Sequence, residues 1–324
     1  MIFSIEDQEN RIGLKPIQNQ KIWDMYKKIG LPSMWFVEDV SLAEDIKQWH
    51  DGTVSPQVKQ FVKYILAFFH GADKLVAENL VDNFVQEVNI TEAQVYYRFQ
   101  AMVEDIHSDM YSTLVEALIR DTVERKEIFD ALEQMSVIKA KAEWTKKYAN
   151  RENATMVQRL VAFAVVEGVF FSGSFCAIYY LRELGILPGV CFSNDYIAKD
   201  EGQHCEFACL LYSYVKERLS EEEIHAIFRE AVEIESIFIT EAIPVALIGM
   251  NKSLMIDYVK YVADFWIQKL GYAKLYHANQ PFKFMVNISI QNRTNFFEKR
   301  VGDYQRANVG TTVTDRAFVI DEEF

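Results

Sequence analysis

The sequence predicts an all-α protein built as one large helical bundle. Half of the 324 residues are hydrophobic, only 13 are Gly and 6 are Pro, and helical patterns of apolar residues follow one another with short breaks. A chain of this length can bury a large core, and no polar or flexible linker divides it. We therefore expect a helical domain over residues 1–301 and a flexible C-terminal tail over residues 302–324.

The charge balance and the cysteines limit the class of protein. With 34 Lys and Arg residues against 47 Asp and Glu residues, the net charge is −13, which disfavours binding to nucleic acid phosphates. The four cysteines form no CxxC pair and lie in or beside apolar stretches, which is typical of small buried side chains. The N-terminal residues are acidic and lack the apolar core of a signal peptide. We expect a cytoplasmic protein that binds no nucleic acid.

The first helix of functional interest opens at Ser55 and Pro56, an N-cap residue followed by proline at the first helical position. Its apolar residues share one face, and Asp73 continues that face. A carboxylate on a core face needs a partner, because an unpaired buried charge is too costly to keep ionised. Asp73 is therefore a candidate metal ligand.

A second helix contains the segment EDIHSDMY, and Thr91 with Gln94 is predicted to cap its start. Glu104, His107 and Tyr111 stand at positions i, i+3 and i+7 of this segment. On a helix their side chains fall within roughly 60° of one another. The spacing therefore places a carboxylate, an imidazole and a phenol on one face.

A third helix is expected over residues 154–183, ended by Gly185 and Pro188. Glu167 is the only charge in its long apolar part, which has the length of a membrane span. A carboxylate there would cost about 2.5 to 3.5 kcal/mol in a bilayer, so a helix buried at the centre of a bundle is the favoured interpretation. We expect no membrane association, and Glu167 becomes a second lone core carboxylate.

A fourth helix, with a predicted cap at Ser193 or Asn194, carries a second ExxH pair, Glu201 and His204. A third ExxH pair, Glu222 and His225, stands in an acidic run that suits a solvated helix start. The ExxH spacing alone is therefore a weak signal. Its strength here comes from two pairs that accompany two lone core carboxylates.

Together these residues predict a site for two metal ions. Four carboxylates balance the charge of two divalent ions, which favours two ions over one. A ferritin-like helical bundle holds di-iron or di-manganese in this way, with one carboxylate from each of two helices and a Glu-x-x-His from each of the other two. The oxygen-rich donor set suits iron or manganese and disfavours structural zinc. The candidate ligands are Asp73, Glu104, His107, Glu167, Glu201 and His204.

A reduced site of this kind can activate oxygen, and Tyr111 is the nearest oxidisable side chain on the same face. Several segments carry a resemblance that agrees with this chemistry: EDIHSDMY, VEGVFFSGSF, DEGQHCEFACL, TNFFEKRVGDYQR and the acidic end FVIDEEF. From about Trp23 to Phe324 the chain resembles the small, radical-generating subunit of class I ribonucleotide reductase, of the eukaryotic or viral type. The resemblance implies the same six ligands for a di-iron site, with manganese as an alternative, and Tyr111 as a stable tyrosyl radical.

The resemblance also implies roles for residues that the spacing does not single out. Trp35 and Asp200 would form a radical-transfer chain with His107, and Tyr304 would be its last member on this subunit. Without the resemblance, Trp35 would be an ordinary core anchor. The apolar pocket around the radical would consist of Phe171, Phe175 and Ile197, which equally suit core packing.

The family also implies partners and leaves alternatives open. We expect a homodimer whose C-terminal tail docks on a large catalytic subunit, where ribonucleotides are reduced to deoxyribonucleotides for DNA replication. Two departures from close eukaryotic relatives, Lys199 for Arg and Gln203 for Leu, affect the surroundings of the site and leave the ligands intact. The alternatives are a ferritin-like di-iron oxidase or ferroxidase, and a silent scaffold subunit that would be expected to lack ligands or Tyr111.

Overall fold

A computed structural model describes residues 2–5, 13–79, 83–242, 246 and 250–285, with side chains described except at 70–79, 131–133 and 242. The predicted tail, residues 302–324, lies outside the described residues, and so does Tyr304. The side chain of Asp73 is also outside them, although its backbone is described as helical.

The described residues are helical nearly throughout. Their β-structure consists of one isolated antiparallel bridge between Phe3 and Val215. The predicted all-α fold is therefore confirmed. π-Helical segments at Met25–Gly30, Val166–Phe170 and Phe238–Ala242, and a 3-10 turn, Val37–Asp39, join or extend the α-helices. The α-helices are α1 Gln20–Asp24, α2 Leu31–Ser33, α3 Ala43–Asp51, α4 Pro56–Asn79, α5 Val85–Glu87, α6 Thr91–Leu118, α7 Thr122–Gln134, α8 Ser136–Ala149, α9 Met156–Val165, α10 Ser172–Glu183, α11 Pro188–Ser213, α12 Glu221–Ile237 and α13 Lys252–Lys269.

The centre of the bundle consists of four long helical runs. Helix α4 packs along α6, α9 and α10 pack against α11, and α11 also contacts α6. Aromatic side chains fill the space between them: the ring of Phe207 on α11 stacks on that of Tyr96 on α6 with centroids 3.7 Å apart. Fully burying such a side chain contributes about 1.5 to 3 kcal/mol. Every helix predicted to carry a metal ligand lies in this central group.

The predicted central helix is present, but it is not a regular α-helix. In the described part of the chain, Met156–Glu183 is the one helical stretch long and apolar enough to cross a membrane, and its most apolar window is 100% buried. Its apolar composition thus matches a position inside the bundle. A π-helical segment, Val166–Phe170, separates α9 from α10 and carries Glu167. Such π turns occur frequently at functional sites, and no pattern in the sequence indicated this one.

Two helix starts differ from the prediction. Helix α11 begins at Pro188, so Ser193 and Asn194 lie inside it and do not cap it. The carboxylate of Asp45, on α3, caps this helix instead by accepting the next two backbone N–H groups at 2.8 and 2.9 Å. A cap from a distant helix leaves no local signal in the sequence. Helix α6 begins at Thr91 itself, with Ile90 at the N-cap position.

The third ExxH pair and the start of α4 match the prediction. Ser220 caps α12 in a capping box with Glu223, and the neighbouring Glu222 is exposed. At the start of α4, the hydroxyl of Ser55 accepts the backbone N–H of Val58 at 3.3 Å. At these two helix starts the local capping residues were therefore predicted correctly.

A buried ion pair supports the end of the π segment. Lys141 on α8 donates from Nζ to the backbone oxygen of Phe170 at 2.9 Å and lies 2.5 Å from Glu235 Oε2 on α12. Its Nζ also lies 3.4 Å from the ring centroid of Phe238. Burial lowers the pKa of Lys141 to about 8 and raises that of Glu235 to about 7, while their mutual attraction opposes both shifts. The pair therefore joins two outer helices to the segment that carries Glu167.

We predict that Lys141→Met lowers the free energy of unfolding by about 3 to 5 kcal/mol, because it leaves the Glu235 carboxylate buried without its cation. Burial favours the protonated form of Glu235, whose pKa is raised, so the loss should shrink as the pH falls below 7. Urea denaturation at several pH values measures both effects. The control is Lys147→Met on the same helix, because the Lys147–Glu230 pair is 52% and 46% exposed and should contribute less than about 1 kcal/mol. Equal losses in the two variants would contradict a special role for the buried pair.

Candidate metal centre

The candidate centre lies where three central helical runs meet. Glu104 and His107 come from α6, Glu167 comes from the π segment, and Glu201 and His204 come from α11. All five side chains are buried. Glu104, Glu167, Glu201 and His204 each offer one ligand atom, and these atoms lie within 4.8 Å of one another. This is a buried carboxylate and imidazole group of the kind that holds metal ions.

His107 joins this group through its Nδ1 atom. That nitrogen lies 3.2 Å from Glu104 Oε2 and 3.2 Å from Glu201 Oε1. On the other side of the ring, Nε2 lies at hydrogen-bond distance, 3.3 Å, from Asp200 Oδ2. A metal-binding histidine usually donates its second ring N–H to a carboxylate, which sets the ring orientation. Asp200 therefore orients His107 so that Nδ1 faces the centre.

His204, in the second ExxH pair on α11, lies against the carboxylates of Glu104 and Glu201, as His107 does. Its Nδ1 atom lies 3.0 Å from Glu104 Oε1, 3.4 Å from Glu201 Oε2 and 3.6 Å from Glu167 Oε2. One nitrogen is thus surrounded by one oxygen from each of three carboxylates. The ExxH spacing accounts for the contact with Glu201, because residues three apart lie on one helix face, and helix packing brings in Glu104 and Glu167.

Burial and mutual attraction shift the pKa values in the centre in opposite directions. Burial raises the pKa of Glu167 well above its usual value, and the charges of Glu201 and Glu104 raise it further. Burial opposes ionisation of Glu104, yet the imidazoles of His204 and His107 outweigh it and lower its pKa to about 2. Burial lowers the pKa of both imidazoles, but neighbouring carboxylates outweigh it and raise the pKa well above its usual value. Asp200, Glu104 and Glu201 act in this way on His107, and Glu104, Glu167 and Glu201 act on His204. The carboxylates therefore favour positive charge at the centre of the group.

The donor atoms fit a metal centre because several of them make no hydrogen bond within the protein that has normal geometry. Within the part of the chain that the structure describes, Glu104 Oε1, Glu167 Oε2, both carboxylate oxygens of Glu201 and His204 Nδ1 are buried without a hydrogen bond of normal geometry. Buried polar atoms are rarely left in this state. Carboxylate oxygens and imidazole nitrogens that converge on one point suit iron or manganese.

Five of the six predicted ligands are thus brought together, and their role as ligands stays a prediction. The backbone of Asp73 lies in α4, which packs along α6, and its side chain lies outside the described residues.

Gln100 is a neighbour of the centre that the sequence analysis missed. Its side chain is buried, and its Nε2 donates to Glu167 Oε1 at 2.9 Å. Gln100 stands one helical turn before Glu104, on the face that was already identified as functional. An uncharged amide is a poor indicator of a metal site, so only this position could have revealed it.

Trp35 and Asp200, which the family resemblance implied, do connect to the centre. The indole Nε1 of Trp35 donates to Asp200 Oδ2 at 2.8 Å, and the same oxygen accepts from His107. The rings of Trp35 and His107 are stacked with centroids 6.1 Å apart. A continuous hydrogen-bonded path therefore runs from the centre to Trp35.

Tyr111 is on the same helix as Glu104 and His107, and its ring lies in an aromatic pocket. Its ring is parallel to that of Phe69 within 5°, with centroids 4.7 Å apart. Phe69 in turn contacts the two predicted pocket residues Phe171 and Phe175, at centroid distances of 5.6 and 5.2 Å. The third, Ile197, is buried on α11. Phe69 is an apolar core residue of α4 that the sequence analysis did not single out, and its ring joins Tyr111 to this pocket.

The two departures from close relatives lie on α11 beside the centre. The side chain of Gln203 accepts from the hydroxyl of Ser33 at 3.3 Å, and its backbone oxygen accepts from the hydroxyl of Tyr96. Burial lowers the pKa of Lys199, and the negative charge of Asp200 opposes that shift. Gln203 thus connects α11 to α2 and α6.

A cavity of about 160 Å³ reaches the centre from the side of α13. It is lined by Glu167 and Glu201 at its inner end and by Phe175, Cys205 and Trp266 among its walls. A small molecule fits this space, whose lining combines two carboxylates with aromatic and apolar side chains.

Comparisons with known proteins give a consistent result. The sequence model of the family described as "Ribonucleotide reductase, small chain" matches residues 11–281. Ribonucleoside-diphosphate reductase subunit M2 of Homo sapiens is 46% identical over 320 residues, which cover 99% of this chain and 82% of the human protein. The ribonucleoside-diphosphate reductase small chain of Variola virus is 46% identical over 315 residues, which cover 97% of each chain.

Solved structures agree with these sequence matches. The ribonucleotide reductase Rnr4 homodimer from Saccharomyces cerevisiae superposes with a TM-score of 0.77 and 31% identity, covering 88% of this chain and 91% of the yeast chain. The dimanganese(II)-NrdF of Streptococcus sanguinis superposes with a TM-score of 0.75 and 20% identity, covering 87% and 99% of the two chains, and it shows the shared fold.

We predict that the protein, loaded under reducing conditions, binds two divalent ions per chain, and that Glu167→Ala or His204→Ala loses at least about half of this metal, because each removes a donor from the shared group. Elemental analysis after desalting measures the content. Glu222→Ala and His225→Ala are matched controls from the solvated ExxH pair and should bind as much metal as the unchanged protein. One ion or none in the unchanged protein, or normal loading of the core variants, would contradict the site.

Proposed function

The chain belongs to the ribonucleotide reductase small-chain family, and we propose that it is the radical-generating small subunit of a ribonucleoside-diphosphate reductase. The matches to human and viral proteins confirm the predicted resemblance and the assignment to this oxidoreductase. The observation that carries the proposal is the buried carboxylate and imidazole group, two of whose members, Glu104 and His107, share a helix with the enclosed Tyr111.

The proposed cofactor is a pair of iron ions, for which manganese is the alternative because the same donors suit both metals. When bound, the metal pair supplies the redox chemistry with oxygen that oxidises a side chain. Asp200 orients the imidazole of His107, and Gln100 holds one oxygen of Glu167 so that the other faces the centre. The proposed ligands are Asp73, Glu104, His107, Glu167, Glu201 and His204.

Tyr111 is proposed to store the oxidising equivalent as a stable tyrosyl radical. Its phenol gives up one electron and one proton when it is oxidised. The parallel ring of Phe69 and the nearby ring of Phe175 keep water away, and neither ring is readily oxidised. A radical in this pocket is therefore protected from reductants that need solvent contact.

The hydrogen-bonded path from His107 through Asp200 to Trp35 is proposed to move the oxidising equivalent out of the centre. Asp200 accepts from both rings, so its carboxylate can take or return a proton as an electron crosses between them. Tyr304 is proposed as the last member of this path on the subunit, as the family resemblance implies. The cavity beside Glu167 and Glu201 is proposed as the entry for oxygen.

The proposed partner is a large catalytic subunit in the cytoplasm. Ribonucleotides are reduced there to deoxyribonucleotides, which are used for DNA replication. We propose that the acidic tail docks there and that the chain forms a homodimer, as the yeast relative does in its solved structure. A ferroxidase would not need the path to Trp35. A silent scaffold subunit would be expected to have lost part of the buried group.

We predict that Tyr111→Phe keeps the metal and the fold but loses the stable tyrosyl signal in electron paramagnetic resonance spectra, because it removes only the hydroxyl that is oxidised. Iron is added to the reduced protein and oxygen is admitted before the spectrum is recorded. Tyr97→Phe is the control, since Tyr97 is an equally buried tyrosine on the same helix, stacked on Phe84. An unchanged stable signal in Tyr111→Phe would place the radical elsewhere.

We predict that deleting residues 317–324 leaves the metals and the Tyr111 radical intact and abolishes turnover with the large subunit. Phe318, Ile320 and Phe324 would anchor the tail in an apolar groove, while its carboxylates add charge complementarity. A peptide of these residues should compete with the full chain. Tyr304→Phe should bind normally but fail in turnover. Full activity of the shortened chain would reject the docking role, and full activity of Tyr304→Phe would reject the transfer role.

A further inference from the structure

Tyr196 lies against Trp35 in a position that suits electron transfer. Their ring centroids are 5.0 Å apart and their planes differ by 12°. Tyr196 stands one turn before Asp200 on α11, so a single helix face both stacks on the indole and accepts its N–H. Trp35 is thus stacked against His107 and against the oxidisable ring of Tyr196 as well.

The surroundings of Tyr196 differ from those of Tyr111. Tyr111 is 2% exposed and stacks on a phenylalanine, which does not exchange electrons readily. Tyr196 is only partly buried and stacks on a tryptophan. Its partial exposure brings solvent to the side chain. Tyr111 therefore suits long storage of a radical, and Tyr196 suits rapid and short-lived oxidation.

We infer that Tyr196 is a redox-active side chain that donates one electron to oxidised Trp35. The inference rests on the proposed function, which supplies the oxidised indole. In this step the indole radical cation gains one electron and becomes the neutral ring, which keeps its N–H on Asp200. Tyr196 loses that electron from its phenol and releases the hydroxyl proton to water, leaving a neutral phenoxyl radical. One electron and one proton are thereby accounted for.

The step extends the path by one ring beyond Trp35. Phe192, one further turn back on α11, meets the ring of Tyr196 edge-on at 4.9 Å and is not readily oxidised. Along this row of α11 side chains, the oxidising equivalent therefore stops at Tyr196.

Rapid freeze-quench paramagnetic resonance in the Tyr111→Phe background tests the inference, because the stable radical no longer hides short-lived ones. With ring-deuterated tyrosine or tryptophan, the signal after oxygen is admitted should be assigned to a tyrosine. In Tyr111→Phe/Tyr196→Phe that signal should disappear, and a tryptophan radical should live about tenfold longer or more, since its electron donor is lost. Tyr196→Phe alone should keep the metal content and the Tyr111 signal.

Tyr111→Phe/Tyr26→Phe is the matched control. Tyr26 is also partly buried, and its ring meets Trp23 and Phe99. It should retain the tyrosine signal and the short tryptophan lifetime. Equal tryptophan lifetimes in Tyr111→Phe and its two double variants, or a tyrosine signal that survives in Tyr111→Phe/Tyr196→Phe, would overturn the inference while leaving the proposed function in place. Absence of metal uptake and of the Tyr111 signal in the unchanged protein would instead overturn the proposed function, and the inference with it.

Discussion

The fold depends on keeping a group of carboxylates ionisable inside an apolar bundle. Glu104, Glu167 and Glu201 are at most 2% exposed, and a lone carboxylate in such an interior costs several kcal/mol. They are tolerated because His107 and His204 lie among them and because their remaining oxygens converge where cations can bind. The centre of the bundle is therefore a charged site enclosed by an apolar shell.

That constraint explains features at some distance from the centre. The π segment directs Glu167 toward α6 and α11, and Lys141 with Glu235 supports its far end through the backbone oxygen of Phe170. Immediately beyond it, Phe171 joins the aromatic wall behind Phe69. One irregular stretch thus serves both the metal centre and the pocket around Tyr111.

The sequence was sufficient for features that depend on residues close to one another in the chain. Helical periodicity placed Glu104, His107 and Tyr111 on one face, and the acidic run around Glu222 distinguished the solvated ExxH pair from the two core pairs. It failed where a partner lies far away in the chain, as at the start of α11, which Asp45 caps. The same reason explains the missed contact of Gln100 with Glu167 and the unforeseen stacking of Tyr196 on Trp35.

The central claim is that this buried group holds two metal ions, and anomalous diffraction tests it most directly. Crystals of the iron-loaded protein would be measured on both sides of the iron absorption edge. The account predicts two anomalous peaks per chain between α6, the π segment and α11, within bonding distance of Glu104, Glu167, Glu201, His107 and His204. A single peak, no peak, or peaks only at the solvated Glu222 and His225 would contradict it.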